Sequence, residues 1–269
     1  MEKHSSKIVF IVNAVKDIHK VARALNSISR QSNNEYEVVV ASSFKKDELL
    51  CEVKNLKSFV HINNNKDFAS LYCKEANSLP ENYFLLTVNY DEIVAPNAVE
   101  TLLNHKENDI IISNMAVVAN NKYSPLYSVT NDLNIGDYLN RGAVIWNCCI
   151  RAGFIKETGA LLNNLSYLPQ TLYLLHAIAA AKSIFLTNTV LYYRDILMKE
   201  KAVEYKDFSR NRKTISKILK VLKKKRDYEV LEYTVKKFVV PQLPKLYAET
   251  SFIKRVKKRL ILIKYLGII

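Results

Sequence analysis

The sequence predicts an α/β fold built on a mostly parallel β-sheet. Short apolar runs rich in β-branched residues recur through residues 1–115, as in strands that are buried on both faces. Segments with apolar residues at helical spacing separate these runs, and such strand–helix alternation is typical of parallel sheets. The chain has 269 residues, 49% of them hydrophobic, with only 5 Gly and 6 Pro, which is enough for a large core with few loops.

The first part of the pattern consists of strands with helices between them. The predicted strands are 7–14, 37–41, 59–62, 83–88 and 109–113. The predicted helices are 17–30, 67–79 and one that begins at Pro96 and Asn97. Pro80 ends the second helix, whereas Pro96 is tolerated because the first turn of a helix has backbone N–H groups without an internal partner.

The pattern changes after about residue 115. Residues 116–145 look mixed and loop-like, and the segments that follow are a strand end leading into a short helix at 146–160, an apolar helix at 171–182 and a strand at 183–193. From residue 199 onward the chain is helical and basic. We therefore predict one domain over 1–198, divided into halves at 115 and 116, and a basic helical C-terminal region over 199–269.

The charge of the chain narrows the choice of partner. A formal net charge of +14 and a pI near 9.4 indicate nucleic acid, an anionic membrane or a phosphate-rich substrate. The sequence contains no RNA-binding aromatic signature and no helix-turn-helix pattern, so we expect no nucleic-acid partner. The four Cys lack metal-binding spacing, and a reducing cytosol is the expected setting. The sequence contains no run of about 18 apolar residues, so it predicts no membrane-spanning segment.

Polar residues follow several of the predicted strands. They are Asn13, Ser42 with Ser43, and the stretch 89–92. Ligands of open α/β sheets bind beyond the carboxyl ends of the strands, so these residues are candidates for a shared site. Asp91 and Glu92 could hold a metal or a phosphate-bearing ligand, and Asn89 offers a neutral amide oxygen. A solvated turn with Glu100 at the helix start, and a polar loop at Ser42, are the alternatives.

The order and spacing of these strands, helices and polar residues resemble those of the family-two glycosyltransferases over roughly 7–195. Ser27 with Gln31 is similar to the family's Ser-Leu-x-x-Gln turn, the stretch 91–96 to the segment after its Asp-x-Asp motif, and 191–194 to the strand that ends its acceptor half. The resemblance implies the glycosyltransferase A fold, with a Rossmann-like sheet, a nucleotide-sugar half at 1–115 and an acceptor half at 116–198.

The resemblance also implies a function. The protein would transfer a sugar from a nucleotide-diphosphate sugar to a glycan or lipid-linked acceptor, in making a bacterial surface glycan such as capsule, teichoic acid or lipopolysaccharide. Implied donor-binding residues are Asn13, Ser42, Ser43, Asn89 and Asp91. A Mg²⁺ or Mn²⁺ ion would bridge the diphosphate from Asp91 and Glu92. On the acceptor side the candidates are Trp146 and Asn147.

Four motifs of the family are changed in this chain. The Pro-x-Tyr-Asn turn that ends the first strand is replaced by 12–15, Val-Asn-Ala-Val. The Asp pair after the second strand is replaced by 41–44, Ala-Ser-Ser-Phe, and the Asp-x-Asp motif by 89–91, Asn-Tyr-Asp. The catalytic Asp before the apolar helix corresponds to Pro169 and Gln170, and neither can take a proton from an acceptor hydroxyl. Two alternatives therefore stay open. One is a degenerate transferase that binds a partner enzyme or a glycan, and the other is a basic membrane-binding adaptor.

The last residues form a basic amphipathic pattern. Over 252–269, apolar side chains recur along one helical face, while Lys or Arg occupies positions 254, 255, 257, 258, 259 and 264. Such a helix suits the surface of an anionic bilayer. A helix packed on the domain, or docked on a partner, is the alternative. We expect a cytoplasmic protein held peripherally at the inner face of the cell membrane.

Overall fold

The computed structural model describes residues 5–14, 17–53, 56, 60–63, 68–119, 122–125, 135–140, 147–158, 170–194 and 205–235. Strands in these residues are β1 (Ile8–Ala14), β2 (Tyr36–Ser42), β3 (Val60–Asn63), β4 (Phe84–Asn89), β5 (Glu92–Val94), β6 (Ile110–Ala119), β7 (Lys122–Pro125), β8 (Cys148–Arg151) and β9 (Ile184–Arg194). Helices are α1 (Ile18–Ile28), α2 (Lys46–Glu52), α3 (Phe68–Ser78), α4 (Ala98–Leu103), α5 (Ile135–Asn140), α6 (Ala152–Glu157), α7 (Gln170–Ala180), α8 (Tyr205–Lys225) and α9 (Tyr228–Thr234).

Within the described residues the strands form one sheet in the order β3-β2-β1-β4-β8-β6-β9-β5, with β7 paired to β6. β1 to β4 are parallel, and β6 and β9 run in the same direction as they do. β5, β7 and β8 run in the opposite direction. The prediction of an α/β fold with a mostly parallel sheet is confirmed.

Burial on both faces explains the unbroken apolar sequence of β1. Ile8, Phe10 and Val12 belong to the core cluster on one face, to which α1, α2 and α4 also contribute. Val9 and Ile11 alternate with them and are equally buried, so they point to the opposite face. A strand covered on both sides has no position that favours a polar side chain, which is why periodicity of two is absent here.

Helix α1 begins and packs as its sequence indicates. The Asp17 side chain accepts a hydrogen bond from the Lys20 backbone N–H at 3.3 Å, which satisfies one of the unpaired donors of the first turn. Val21, Leu25 and Ile28 lie on the buried face. Because these positions are three or four residues apart, they form one stripe along the helix that packs on the sheet.

Five elements depart from the sequence-based prediction. Helix α2 and the three-residue strand β5 were not predicted, and β7 and α5 lie in the stretch interpreted as loop-like. Strand β6 is also longer than predicted. Its register against β9 shifts on both sides of Asn114, where the buried side-chain Oδ1 accepts a hydrogen bond from the Met115 N–H at 2.9 Å. A bulge of this kind interrupts the alternation by which a long strand is recognised.

The chain divides into two compact units. The first comprises 1–133, 144–166 and 181–199, and it contains the sheet. The second comprises 134–143, 167–180 and 200–269, so two segments that the sequence assigns to the first domain group with the C-terminal region. The predicted domain boundaries and the division into two halves stay predictions.

The second unit contains α5, α7, α8 and α9. Along α8 the apolar side chains at 215, 218, 219 and 222 are buried, and α9 begins after Asp227, whose carboxylate accepts from the Val230 N–H at 3.3 Å. Arg226, between the two helices, has a φ of 58°. None of the helices in the described part of the chain is long and apolar enough to cross a bilayer. The tail segment 252–269 lies outside the described residues.

Candidate functional site

The carboxyl ends of β1, β2 and β4 meet at one edge of the sheet. Asn13 of β1 is in register with Ala41 of β2 on one side and with Asn89 of β4 on the other. Ser42 follows one position further along, beside Ala14. The parallel pairing therefore brings together the strand ends that the sequence marks with polar residues, as the fold requires for a ligand site.

The two serines after β2 have different surroundings. Ser42 is fully buried, and its Oγ accepts a hydrogen bond from the Phe44 N–H at 2.8 Å. The Ser43 N–H donates to the Ala14 carbonyl at 3.2 Å, while its side chain is exposed. Ser42 thus shapes the turn, and Ser43 is the member of the pair that a ligand can reach. Their assignment to donor binding stays a prediction.

The turn after β4 is closed by Glu92. Its Oε2 accepts from the Asn89 backbone N–H at 2.8 Å, and its Oε1 from the Asn89 Nδ2 at 3.3 Å. The Glu92 side chain has no exposed surface. Burial raises its pKa to about 7, although the Asn89 N–H groups and the nearby Arg194 act in the opposite direction. Glu92 is therefore a buried structural carboxylate and not part of a solvated turn.

Arg194 faces both acids of this turn. Strand β5 pairs antiparallel with the end of β9, and this sets Glu92 directly opposite Arg194. The Arg194 Nη1 lies 3.5 Å from Glu92 Oε1, and its Nε lies 3.8 Å from Asp91 Oδ2. The guanidinium side chain is only 3% exposed. A buried cation is held by two carboxylates where the sequence indicates acids alone.

Sequence reasoning missed the role of Arg194. The resemblance included 191–194 as the strand that ends the acceptor half, but it gave this residue no partner. A charged residue directly after an apolar, aromatic strand was the available signal, since a buried Arg almost always has an anionic partner. Its partner could not be identified, because β5 has three residues and shows no periodicity of its own.

Buried polar atoms without a hydrogen-bond partner are concentrated around this pair of strands. Among the described residues they include Asp91 Oδ1, Arg194 Nε and the Tyr192 hydroxyl. Tyr192 lies two residues before Arg194, and therefore on the same face of β9. Unsatisfied buried groups are rare in folded proteins and are commonly completed by water, an ion or a ligand. Their clustering beside Asp91 makes this edge a candidate binding site.

Helix α1 fixes the position of the turn. The Gln31 side chain donates to the Ala95 carbonyl at 2.7 Å and accepts from the Val99 N–H at 3.0 Å. The Ser27 Oγ accepts from the Val94 N–H at 3.0 Å. These bonds join the end of α1 and the residues just after it to the end of β5 and the start of α4, which explains in physical terms why a Ser and a Gln stand at this spacing.

Among solved structures, the chain is similar to the protein TarS of S. aureus. The crystal structure of TarS 1–349 in complex with UDP matches 97% of this chain and 79% of its own length, with 16% identity and a TM-score of 0.61. A crystal structure of TarS matches 92% of this chain but 46% of its own length, with 17% identity and a TM-score of 0.56. The chain has the glycosyltransferase A fold. No family model and no curated protein matches it.

The glycosyltransferase A fold raises the question of a divalent cation beside Asp91 and Glu92. Mg²⁺ and Mn²⁺ need hard oxygen ligands, yet both Glu92 oxygens already accept hydrogen bonds from Asn89. The Arg194 guanidinium, whose Nε lies 3.8 Å from Asp91 Oδ2, would also repel a divalent ion bound to Asp91. In the described part of the chain, no three His, Cys, Asp or Glu side chains group as metal ligands. The residues present do not fit a divalent cation.

The acceptor side of this fold is only partly within the described residues. Asn147 is 1% exposed, and its Nδ2 donates to the Ser113 carbonyl at 2.7 Å, so it joins the start of β8 to β6. Trp146 and Pro169 lie outside the described residues. Gln170 is the first residue of α7, in the second unit. The acceptor-binding and base assignments stay predictions.

Proposed function

We propose that this protein is a glycosyltransferase that uses a nucleotide-diphosphate sugar and extends a bacterial surface glycan, free or lipid-linked. One observation supports this most. The edge that carries Asn13, Ser43, Asn89 and Asp91 belongs to a fold shared with TarS, whose crystal structure contains UDP. Amide and hydroxyl groups suit the hydrogen-bonding edges of a nucleotide, and the buried unpaired donors Arg194 Nε and Tyr192 hydroxyl suit its phosphate oxygens.

The proposed reaction asks for two things of the protein. The acceptor oxygen bonds to the anomeric carbon while the bond from that carbon to the diphosphate oxygen breaks, so the leaving diphosphate must be stabilised. The hydroxyl proton must also pass to a base. Arg194 is the cation that stands closest to Asp91 among the contacts of this edge. The base is not assigned, since Gln170 has no basic side chain.

Nucleotide binding can be tested by calorimetry with UDP and a panel of other nucleoside diphosphates. Ser43 is exposed at the end of β2, so Ser43→Trp should block the edge without disturbing the core. We expect at least a tenfold loss of affinity. Ser78→Trp, at an exposed position at the end of α3, is the matched control and should bind like the parent. Equal affinity of Ser43→Trp and the parent would move the nucleotide site elsewhere.

A binding protein without catalysis is the second candidate. The neutral Asn89, the buried Glu92 and the Pro169–Gln170 pair at the base position favour it. Radiolabelled nucleotide sugars distinguish the two functions, because a transferase releases nucleoside diphosphate and forms a labelled glycan. Tight nucleotide binding with neither transfer nor hydrolysis, for every donor that binds, would establish the non-catalytic function instead.

The location that we propose is the inner face of the cell membrane. Helix α8 supports it independently of the tail, because exposed Lys217, Lys220 and Lys224 lie on the side opposite buried Ile218 and Leu222. Each basic residue near an anionic leaflet contributes about 1 kcal/mol. This surface and the six basic residues of 252–269 would together hold the protein on anionic lipid, as a peripheral enzyme or as an adaptor.

Liposome co-sedimentation tests this location. The full chain should bind anionic vesicles, dissociate from them as the salt concentration rises, and not bind neutral vesicles. Changing Lys217, Lys220 and Lys224 to Glu should weaken binding roughly 100-fold or more, at about 1 kcal/mol per charge. Glu at the exposed positions 20, 74 and 106 changes the net charge equally and serves as the control. Truncation after Thr250 should also reduce binding. Full binding after both changes would exclude α8 and the tail as the membrane-binding surface, and a full chain that does not bind anionic vesicles would exclude this location.

A further inference from the structure

The two acids of this edge, Asp91 and Glu92, already have a positively charged side chain beside them, in the place where a metal ion would otherwise bind. Arg194 lies 3.8 Å from Asp91 and 3.5 Å from Glu92. Its position is fixed, because it ends strand β9, pairs directly with Glu92 across β5 and is 3% exposed. Removal of the guanidinium from this place would leave the Glu92 carboxylate buried without the cation with which it pairs.

We propose that Arg194 is a built-in cation, whose guanidinium takes the electrostatic place of a divalent ion beside Asp91, so that the site accepts the diphosphate of a nucleotide without a metal. The nucleotide part of this inference rests on the proposed function. The charge part does not, because it concerns the binding of metal by the protein alone.

The charges support this exchange. Two uncompensated carboxylates would repel a diphosphate, and in many sites a metal removes that repulsion. Here Asp91, Glu92 and Arg194 together carry a single negative charge when both acids are ionised, and the hydrogen bonds from Asn89 spread the Glu92 charge further. The unpartnered Arg194 Nε and Asp91 Oδ1 lie on the same edge. A guanidinium donates hydrogen bonds to phosphate oxygens as well as supplying charge.

Asn89 agrees with this interpretation. In an acid-rich metal site, an amide in place of a carboxylate loses one charged ligand. In a site with a fixed guanidinium, the amide loses nothing, because its Nδ2 donates to Glu92 and its backbone N–H does the same. The neutral residue and the buried arginine are then two parts of one arrangement and not two separate defects.

The first test measures Mn²⁺ alone, through the electron paramagnetic resonance signal of the free ion. The parent protein should bind no Mn²⁺ at Asp91, so Asp91→Asn should leave the Mn²⁺ binding of the protein unchanged. Arg194→Gln leaves the two acids without a cation and should gain a Mn²⁺ site, with at least tenfold higher affinity than the parent and with loss of that gain in Asp91→Asn/Arg194→Gln. Arg151→Gln is the control, because Arg151 pairs with Asp109 outside this edge and should gain nothing.

The second test measures UDP binding with EDTA and with Mn²⁺. The affinity of the parent should be equal in both, within about twofold. Arg194→Gln should lose at least tenfold in EDTA and recover in Mn²⁺, since the ion then replaces the guanidinium. A parent site that needs Mn²⁺, or Mn²⁺ binding by the parent through Asp91, would overturn the inference.

The outcomes separate the two proposals. If neither UDP nor any other nucleoside diphosphate of the panel binds, the proposed function fails, while a Mn²⁺ site gained in Arg194→Gln still supports Arg194 as the built-in cation. If a folded Arg194→Gln gains no Mn²⁺ site and shows no Mn²⁺-dependent recovery of UDP binding, Arg194 is only a structural ion pair. If Arg194→Gln does not fold, the two measurements on the parent and Asp91→Asn decide alone.

Discussion

Replacement of Glu92 by Gln should remove one contribution to the pH dependence of the protein's stability. The Glu92 carboxyl group is completely buried, and both of its oxygens accept hydrogen bonds from Asn89. A Gln side chain has the same shape and keeps an acceptor for the Asn89 backbone N–H. It carries no charge, so the substitution removes the cost of ionisation that rises with pH, together with the ion pair to Arg194 and the acceptor for the Asn89 Nδ2.

The magnitude follows from the pKa of Glu92, which burial raises from 4.5 to about 7. A carboxyl whose folded pKa is higher than its unfolded pKa binds more protons in the folded state. Its contribution to stability is therefore complete below pH 4.5 and is lost as the pH rises through 7. With 1.36 kcal/mol per pKa unit, the loss is about 3 kcal/mol. The free energy of unfolding of Glu92→Gln relative to that of the parent should rise by that amount between pH 4.5 and pH 8.

The assay is urea unfolding of the full chain, followed by circular dichroism and by tryptophan fluorescence, at intervals from pH 4.5 to pH 8. Only the difference between variant and parent is used, because other titrating groups then cancel. Glu81→Gln, with an exposed side chain, is the control and should show no such trend. A difference between Glu92→Gln and parent that is constant across this range would show that Glu92 ionises in the folded protein at its ordinary pKa, and would refute the reasoning.

Three other substitutions test the surroundings of the site and the second unit. Gln31→Leu removes two buried hydrogen bonds, to Ala95 and Val99, and should reduce the free energy of unfolding by about 2–4 kcal/mol, with unchanged secondary structure by circular dichroism. Gly153→Ala places a Cβ 2.7 Å from Arg151 Nη1 and 2.9 Å from the Glu81 carbonyl, so it should lower the melting temperature, whereas Ala at exposed Asn77 should not. Burial, with the Lys217 charge, lowers the pKa of His176 from 6.5 to about 4. The unfolded state therefore binds more protons than the folded state as the pH falls below 6.5, and the protein loses stability. His176→Gln should remove about 2 kcal/mol of this loss by pH 4.5, measured by unfolding followed by circular dichroism at 222 nm.

The parallel part of the sheet was predictable from sequence because its signals are local. Each of β1, β2 and β4 is an apolar run followed by a polar residue, and these runs lie within two residues of the observed strands. Because the carboxyl ends of parallel strands must meet, the sequence alone was enough to place Asn13 and Asn89 at one edge of the sheet.

The arrangement inside that edge was not predictable, because it depends on side-chain direction and on distant pairing. Asp91 and Glu92 are adjacent in sequence, yet one turns fully inward while the other is only partly covered. Ser42 and Ser43 differ in the same way. Adjacent residues of a turn have no periodicity from which to decide which one is buried, and no local pattern indicates Arg194 as their partner.

The pairing of Glu92 with Arg194 joins positions about a hundred residues apart in the chain, and this has a consequence for biosynthesis. While the ribosome is still making the middle of the protein, β1 to β4 can already associate, but the acid in the turn after β4 has no countercharge until the end of β9 emerges. Non-local pairings of this kind form late, because the intervening chain must first be ordered. The nascent parallel strands therefore form before Arg194 is synthesised. A recombinant fragment that ends near residue 115 would contain the edge without the Arg194 guanidinium.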